Sequence, residues 1–381
     1  MRFRHPDGSV VHLAYCTNVH AAEDLSGIVA QLDRFALPVR ERLGSAVLGL
    51  GLWLAAPVAA ALTDDVSLIG RLRGELDARG LEVVTLNGFP YQAFQSEVVK
   101  KAVYLPHWGQ AERLVYTVQL AEVLHRLLPE GARSGSVSTL PLAWREVSIG
   151  DAGVRALEAL ADQLRRLAER HGRPVRVGIE PEPGCVVERT VQVPTALVDV
   201  DHDWIGTCLD ACHLAVEFEE ADEAVRVLDG AGIDVVKAQL SSALRVPAPA
   251  EDRAWARDFV EPRFLHQSRE LVDGAVVAVD DLDLALDGGL PGTSEWRVHF
   301  HVPVHADGGG RTTQPELRRT IDALVGGPTA RTAHLEVETY TWNVLPPEQR
   351  PADDAGLVEG IAAELAWVRD ELATRGLKEL P

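Results

Sequence analysis

Several acidic or amide side chains stand where short apolar segments end. Glu180 follows Val175-Arg176-Val177-Gly178-Ile179, Asp210 follows Ile205-Gly206-Thr207-Cys208-Leu209, and Gln239 closes Lys237-Ala238-Gln239. Glu336 and Glu338 alternate through His334-Leu335-Glu336-Val337-Glu338. A bare carboxylate at the end of a buried segment is costly unless it is solvated, paired or bound to a cation. Several converging on one axis repel one another unless a cation lies between them. A hard or borderline divalent metal suits a mixed set of carboxylate, amide oxygen and imidazole. The imidazoles come from His213, three residues after Asp210, and from Val298-His299-Phe300-His301-Val302-Pro303-Val304-His305. Alternation places His299, His301 and His305 on one side of a regular strand, with Pro303 interrupting it. Glu182, in Glu180-Pro181-Glu182-Pro183, is an alternative acid. The ordinary structural alternative for each acid is a helix N-cap, and for His299 a core imidazole satisfied by a backbone carbonyl.

The elements that must position these groups read as βα units. Short apolar runs alternate with longer amphipathic ones. Eight strands are predicted: Val11–Tyr15, Ala46–Leu54, Leu81–Leu86, Val175–Ile179, Trp204–Leu209, Val235–Leu240, Trp296–Val304 and Ala333–Glu338. Eight is the number that closes a (β/α)8 barrel, whose active site lies at the C-terminal strand ends. Helices are predicted over Glu23–Arg42, Asp64–Arg79, Asp151–Arg170, Glu219–Gly230, Asp258–Val272, Thr313–Val325 and Asp353–Arg375. The last carries Leu357, Ile361, Leu365 and Val368 at helical spacing, a stripe for the barrel wall. Segments 89–141 and 241–262 are long for βα connections and are expected as loop insertions at the functional face of a single domain spanning 1–381. Asn18, Asn87 and Trp53 fall at the ends of the first, third and second strands, where they form a polar and aromatic wall for a small polyol.

Composition narrows the classes. The chain has 381 residues, is 46% hydrophobic and carries a net charge of −20. Such acidity disfavours phosphate backbones and anionic lipid, so neither nucleic acid nor membrane insertion is expected. The apolar stretch Ala46–Leu62 is broken by Gly49, Gly51 and Pro57 and is short for a span of ~20 residues. Cys16, Cys185, Cys208 and Cys212 match neither a zinc knuckle nor a disulfide framework, and the N-terminal residues lack the apolar run of a signal peptide. A cytoplasmic location is expected. Gly308-Gly309-Gly310 does not follow a strand and open a helix, so it is not a phosphate loop.

The order Glu180, Asp210 with His213, Gln239 and a last-strand Glu resembles the metal-dependent sugar isomerases and epimerases of the xylose isomerase-like superfamily. There a Glu ends strand four, an Asp ends strand five with a His three residues on, a His or Gln ends strand six and a Glu ends strand eight. Gln239 is similar to the Gln of hydroxypyruvate isomerase-like members. Longer runs resemble a narrower family, the metabolite traffic protein EboE. They are His12-Leu13-Ala14-Tyr15-Cys16-Thr17-Asn18-Val19-His20, Thr85-Leu86-Asn87-Gly88-Phe89-Pro90-Tyr91, His299-Phe300-His301-Val302-Pro303-Val304 and His334-Leu335-Glu336-Val337-Glu338-Thr339-Tyr340-Thr341-Trp342. That likeness covers most of the chain.

The resemblance implies a divalent metal (Mn, Zn, Mg or Co) on Glu180, Asp210, Gln239 and Glu338, with Glu336 the alternative to Glu338. Glu180 and Glu338 would be the acid/base pair of an isomerase or epimerase. Its substrate would be a sugar- or cyclitol-like hydroxyketone, processed through a metal-stabilised enediolate. Its setting would be the making or export of a secondary metabolite. His213, His301, Asn18, Asn87 and Trp53 would contact substrate, and Glu182 and His305 are further candidates. A homo-oligomer is compatible with this reading. Two other readings share the barrel, a non-catalytic metabolite carrier and an endonuclease IV-like repair enzyme.

Overall fold

A computed structural model describes residues 1–381. Eight parallel strands close into a barrel: β1 (Val10–Cys16), β2 (Leu48–Trp53), β3 (Leu81–Asn87), β4 (Gly135–Thr139), β5 (Val175–Ile179), β6 (Ile205–Asp210), β7 (Val235–Leu240) and β8 (His334–Val337). Each pairs with its sequence neighbour, and β8 closes the ring against β1, with His334 opposite His12 and Val337 opposite Tyr15. The strands are buried on both faces, as a barrel wall between a filled interior and an outer layer of helices requires.

Two expectations about the barrel are corrected. Gly135-Ser136-Val137-Ser138-Thr139, inside the expected 89–141 loop, is the fourth barrel strand, and helix Ala111–Leu127 precedes it. Small polar residues suit a position pressed between two strands, but they present no apolar run. Conversely, Trp296–Val302 is not in the barrel. It joins Ser242–Val246, Ser268–Val272 and Ala275–Val279 in a separate four-stranded antiparallel sheet. The insertion after β7 therefore exceeds the expected 241–262 loop, and the expected helix over 258–272 is replaced by helix Pro249–Arg257 and strand Ser268–Val272. Val298 to Val302 are all buried, so the segment reads from sequence like a barrel strand although it pairs antiparallel. With one strand inserted before it, Glu180 ends the fifth barrel strand and Asp210 the sixth.

Several helices begin on acidic caps. Asp24 accepts from Gly27 N–H at 2.8 Å and Asp353 from Gly356 N–H at 2.9 Å. The last helix, Asp354–Thr374, buries Leu357, Ile361, Leu365 and Val368, each contributing about 1.5–3 kcal/mol. Glu364 on the same helix is buried. It accepts from Thr339 Oγ1 at 2.6 Å, Val304 N–H at 3.1 Å and Trp342 Nε1 at 3.1 Å, tying the helix to the segment that follows β8. Burial outweighs these three donors and pushes its carboxyl up to about 7. An acid whose native pKa is raised contributes stability that is fully present below its unfolded value of 4.5 and is lost as pH climbs toward 7. Glu364→Gln removes that dependence. Relative to the unsubstituted chain, the variant should gain roughly 2.5 kcal/mol between pH 5 and pH 8. Denaturant unfolding at the two pH values measures the gain, and parallel pH profiles would contradict it.

Candidate metal centre

Four strand ends meet at the barrel mouth. Glu180 lies one residue beyond β5, and its N–H extends the ladder to Thr139 O at 2.9 Å. Asp210 ends β6 and caps the short helix Ala211–Val216. Its Oδ1 accepts from His213 N–H at 3.0 Å and Ser241 Oγ at 2.7 Å, while its Oδ2 is buried with no partner. The capping and ligand readings of this residue thus use different oxygens. Gln239 in β7 is wholly buried, and neither atom of its amide has a partner. Glu338 follows β8, and its Oε1 accepts from the side-chain amides of Asn18 at 2.7 Å and Asn87 at 2.8 Å.

One oxygen each of Glu180, Asp210 and Glu338 lie within 4.8 Å of one another, and Glu180 Oε2 has no partner. Burial, then Glu338 and Asp210, hold the Glu180 carboxyl well above its ordinary value. Burial, then Asp210 and Glu336, do the same for Glu338. Buried unpartnered oxygens from Glu180, Asp210 and the Gln239 amide, with the Glu338 carboxylate beside them, are a donor set that fits a divalent cation. The chemistry of the residues matches the group that the sequence implied.

Glu336 sits lower. Its carboxylate is 3.2 Å from Lys237 Nζ, and both side chains are fully buried. Lys237 also donates to Leu86 O and Ser138 Oγ, each at 3.3 Å. Burial opposes the ammonium, but Glu336, with Cys16, Cys208 and Glu180, raises its pKa above the usual value. A Cβ at position 51 would run into the Glu336 carboxylate, so Gly51 leaves the space that this acid fills. Glu338, rather than Glu336, therefore shares the cluster with Glu180 and Asp210.

Histidines from the antiparallel sheet and the β6 end stand over the acids. The register of Trp296–Val302 against Ser242–Val246 slips between Val298 and His301, a bulge of the kind that re-aims side chains. His301 donates Nδ1–H to Glu338 O at 2.8 Å, and its Nε2 faces Asp210 Oδ2 at 4.0 Å without a partner. Burial lowers its pKa to about 4, so the ring is neutral at pH 7 with a free Nε2 lone pair. His213 donates Nδ1–H to Pro181 O, and His299 donates Nδ1–H to Gln267 Oε1, both at 2.9 Å. Their Nε2 atoms face each other at 3.1 Å, a spacing that needs a proton or a cation between them. Fixing Nδ1 on an oxygen and freeing Nε2 is how metal-binding imidazoles are oriented. Asp210, His213 and His301 form a second set of ligand atoms within 4.8 Å, and Cys212, His299 and His301 a third.

A cavity opens above these groups, lined by Asn18, Asn87, Glu180, Glu182, His213, His299, His301 and Glu338 on its polar side. Glu182 is in the wall rather than the acid trio. Its Oε1 accepts from Tyr104 at 2.5 Å and Gln267 Nε2 at 3.3 Å, and burial raises its pKa. The structure does not bring Trp53 or His305 to the cavity. Trp53 donates its indole N–H to Pro90 O at 2.9 Å and backs Phe94, while His305 lies past the end of its strand beside Trp342. The side-chain amides of Asn18 and Asn87 are committed to Glu338. Tyr104, Tyr340, Phe94 and Phe264 also line the cavity. Tyr104 ends a short 3-10 helix and the other three sit in turns and bends, where no periodicity marks them, whereas His299 falls in a strand expected from the sequence.

All four cysteines are free and buried. No helix is long and apolar enough to cross a membrane.

The model of the family described as xylose isomerase-like TIM barrel matches residues 55–257. No curated protein matches the chain at a significant level. Among solved structures, a xylose isomerase-like TIM barrel protein from Mycobacterium smegmatis in complex with magnesium superposes with a TM-score of 0.51 at 14% identity, covering 95% of this chain and 98% of that one. A putative sugar phosphate isomerase/epimerase from Anabaena variabilis gives 0.50 at 14% identity over 96% and 100% of the two chains. L-ribulose 3-epimerase gives 0.50 at 16% identity over 96% and 95%. These likenesses show a common fold. The family match spans over half of the sequence and the eight-stranded barrel closes as that family's does, so the chain belongs to the xylose isomerase-like TIM barrel family.

Proposed function

We propose that the protein is a divalent-metal-dependent isomerase or epimerase acting on a small sugar- or cyclitol-like hydroxyketone. The observation that carries this is the meeting of buried Glu180, Asp210 and Glu338 within 4.8 Å, with Glu180 Oε2 and Asp210 Oδ2 unpartnered. Glu180, Asp210, Gln239 and Glu338 would hold the metal, which supplies positive charge for substrate oxygens as they become negative. The identity of the metal is left to measurement. Magnesium in one structural relative and the epimerase activity of another are in keeping with this reading.

The protein's own residues handle the proton. Glu180, with Oε2 free, takes it from the carbon beside the carbonyl. Glu338, held by two amides through Oε1, returns a proton from the other face through its second oxygen. Burial and mutual repulsion raise the pKa of both acids. His301 Nε2 accepts from a substrate hydroxyl, and His213 lies beside it. The finer family, metabolite traffic protein EboE, and a role in making or exporting a secondary metabolite rest on the sequence runs quoted above. A single-domain, cytoplasmic enzyme rests on the chain's length, cysteines and N-terminal residues, and the exclusion of nucleic acid on its net charge of −20.

The test is deuterium incorporation from D2O into the carbon beside the carbonyl, screened over ketoses and keto-cyclitols with metal-loaded protein. Exchange supports the enzyme, and tight binding without exchange at any substrate supports the carrier. The two amides on Glu338 give a second expected outcome. Asn87→Ala should weaken metal binding by about 10–100-fold, as loss of a ligand's hydrogen-bond partner does. Chelator competition measures this, and unchanged affinity would contradict the placement of Glu338.

A further inference from the structure

The cavity has two unlike halves. Below lie the acids, amides and imidazoles. Above, Phe89, Phe94, Val99, Phe264, Leu265 and Tyr340 form a ceiling. Phe94, Phe264 and Tyr340 pack as a triangle, with ring centroids 5.1, 5.2 and 4.8 Å apart. The ceiling is tied in place where two insertions cross the mouth. Val99 N–H and Lys100 N–H donate to Arg263 O at 2.7 and 2.8 Å, and Arg263 reaches Gln95 Oε1 at 3.0 Å.

The lining holds one cationic residue, Lys100, and its ammonium is 2.5 Å from Asp281 Oδ2. Away from the metal, a phosphoryl group would meet Glu182 and the apolar lining with no free side-chain cation to receive it. A ligand hydroxylated along its whole length would press hydroxyls against Phe94, Phe264 and Val99, which offer no partners, and that is costly. An apolar group there would instead be removed from water against three rings.

We infer that the site takes an uncharged, amphipathic hydroxyketone, its oxygens on the polar floor and an aromatic or branched-alkyl substituent under the Phe94–Phe264–Tyr340 ceiling. This inference rests on the reading of the floor as a metal-dependent hydroxyketone site, and it specifies what lies at the other end of the ligand.

Three probes test it on the metal-loaded, full-length protein: dihydroxyacetone, its mono-O-benzyl ether and its phosphate. Calorimetry reads binding and D2O reads exchange. The benzyl ether should bind roughly tenfold or more tighter than dihydroxyacetone, and the phosphate should bind most weakly. Phe264→Ala and the milder Phe264→Leu should each shrink the ratio of benzyl ether to parent, the former more. Equal or tighter binding of dihydroxyacetone or of the phosphate overturns the inference, as does failure of all three to bind. Preferential binding of the benzyl ether with no exchange into any probe upholds the ligand class and tells against the isomerase reading. Exchange into dihydroxyacetone with exclusion of the benzyl ether does the reverse.

Discussion

Glu180→Gln should abolish proton exchange at the substrate carbon, a loss of at least ~10²–10⁴-fold, while the barrel stays folded. The amide keeps the shape of the side chain but cannot accept the proton. Its site tolerates the change because the carboxylate is itself the strained member. Glu180 is buried within 4.8 Å of two further acids, and its Oε2 has no hydrogen-bond donor. Removing a negative charge from that cluster should leave the metal-free protein as stable as before or more so, the usual trade of stability against function at such sites. Circular dichroism melts and the deuterium assay, run on the same preparation, measure both halves. An active Gln variant would contradict the role given to Glu180, and an unfolded one would contradict the strain argument.

The second large effect lies one layer deeper. Lys237→Met should destabilise the protein by about 3–5 kcal/mol, because it leaves the Glu336 carboxylate buried without its counter-charge. The two groups are 3.2 Å apart with no solvent exposure, and Glu336 Oε2 already lacks a partner. The double variant Lys237→Met, Glu336→Met should recover most of the loss, since a buried pair replaced by apolar side chains is often neutral. Denaturant unfolding of the two single variants and the double variant gives the coupling directly. A loss below about 1 kcal/mol in Lys237→Met would mean that the pair is not ionic in the folded protein.

These residues also mark where the sequence was legible and where it was not. Glu180 and Asp210 stand at the ends of apolar strands, a place where an acid needs a reason, and the structure brings them together. The barrel was legible from seven of its strands, because parallel strands buried on both faces read as apolar runs. The strand Gly135–Thr139 was not, since small polar residues serve its packing as well as Val and Ile would elsewhere. The Trp296–Val302 segment filled its place in the count, and the alternation that drew notice there belongs to an antiparallel sheet. Strand parity does not separate Glu336 from Glu338, and the sequence favours Glu338 only because it lies nearer the strand end. What separates them is depth, set by Lys237 across the barrel and by the space at Gly51. The ceiling residues Phe94 and Phe264 lie in irregular segments that meet only through backbone bonds such as Val99 N–H to Arg263 O.

The most direct test of the central claim is the metal content of the purified protein by elemental analysis, with Glu180→Ala and Asp210→Ala alongside. The account expects at least one divalent metal per chain, lost or sharply reduced in both variants. A folded protein that takes up no metal after reconstitution with Mn, Zn, Mg and Co, or variants that retain it in full, would contradict the account.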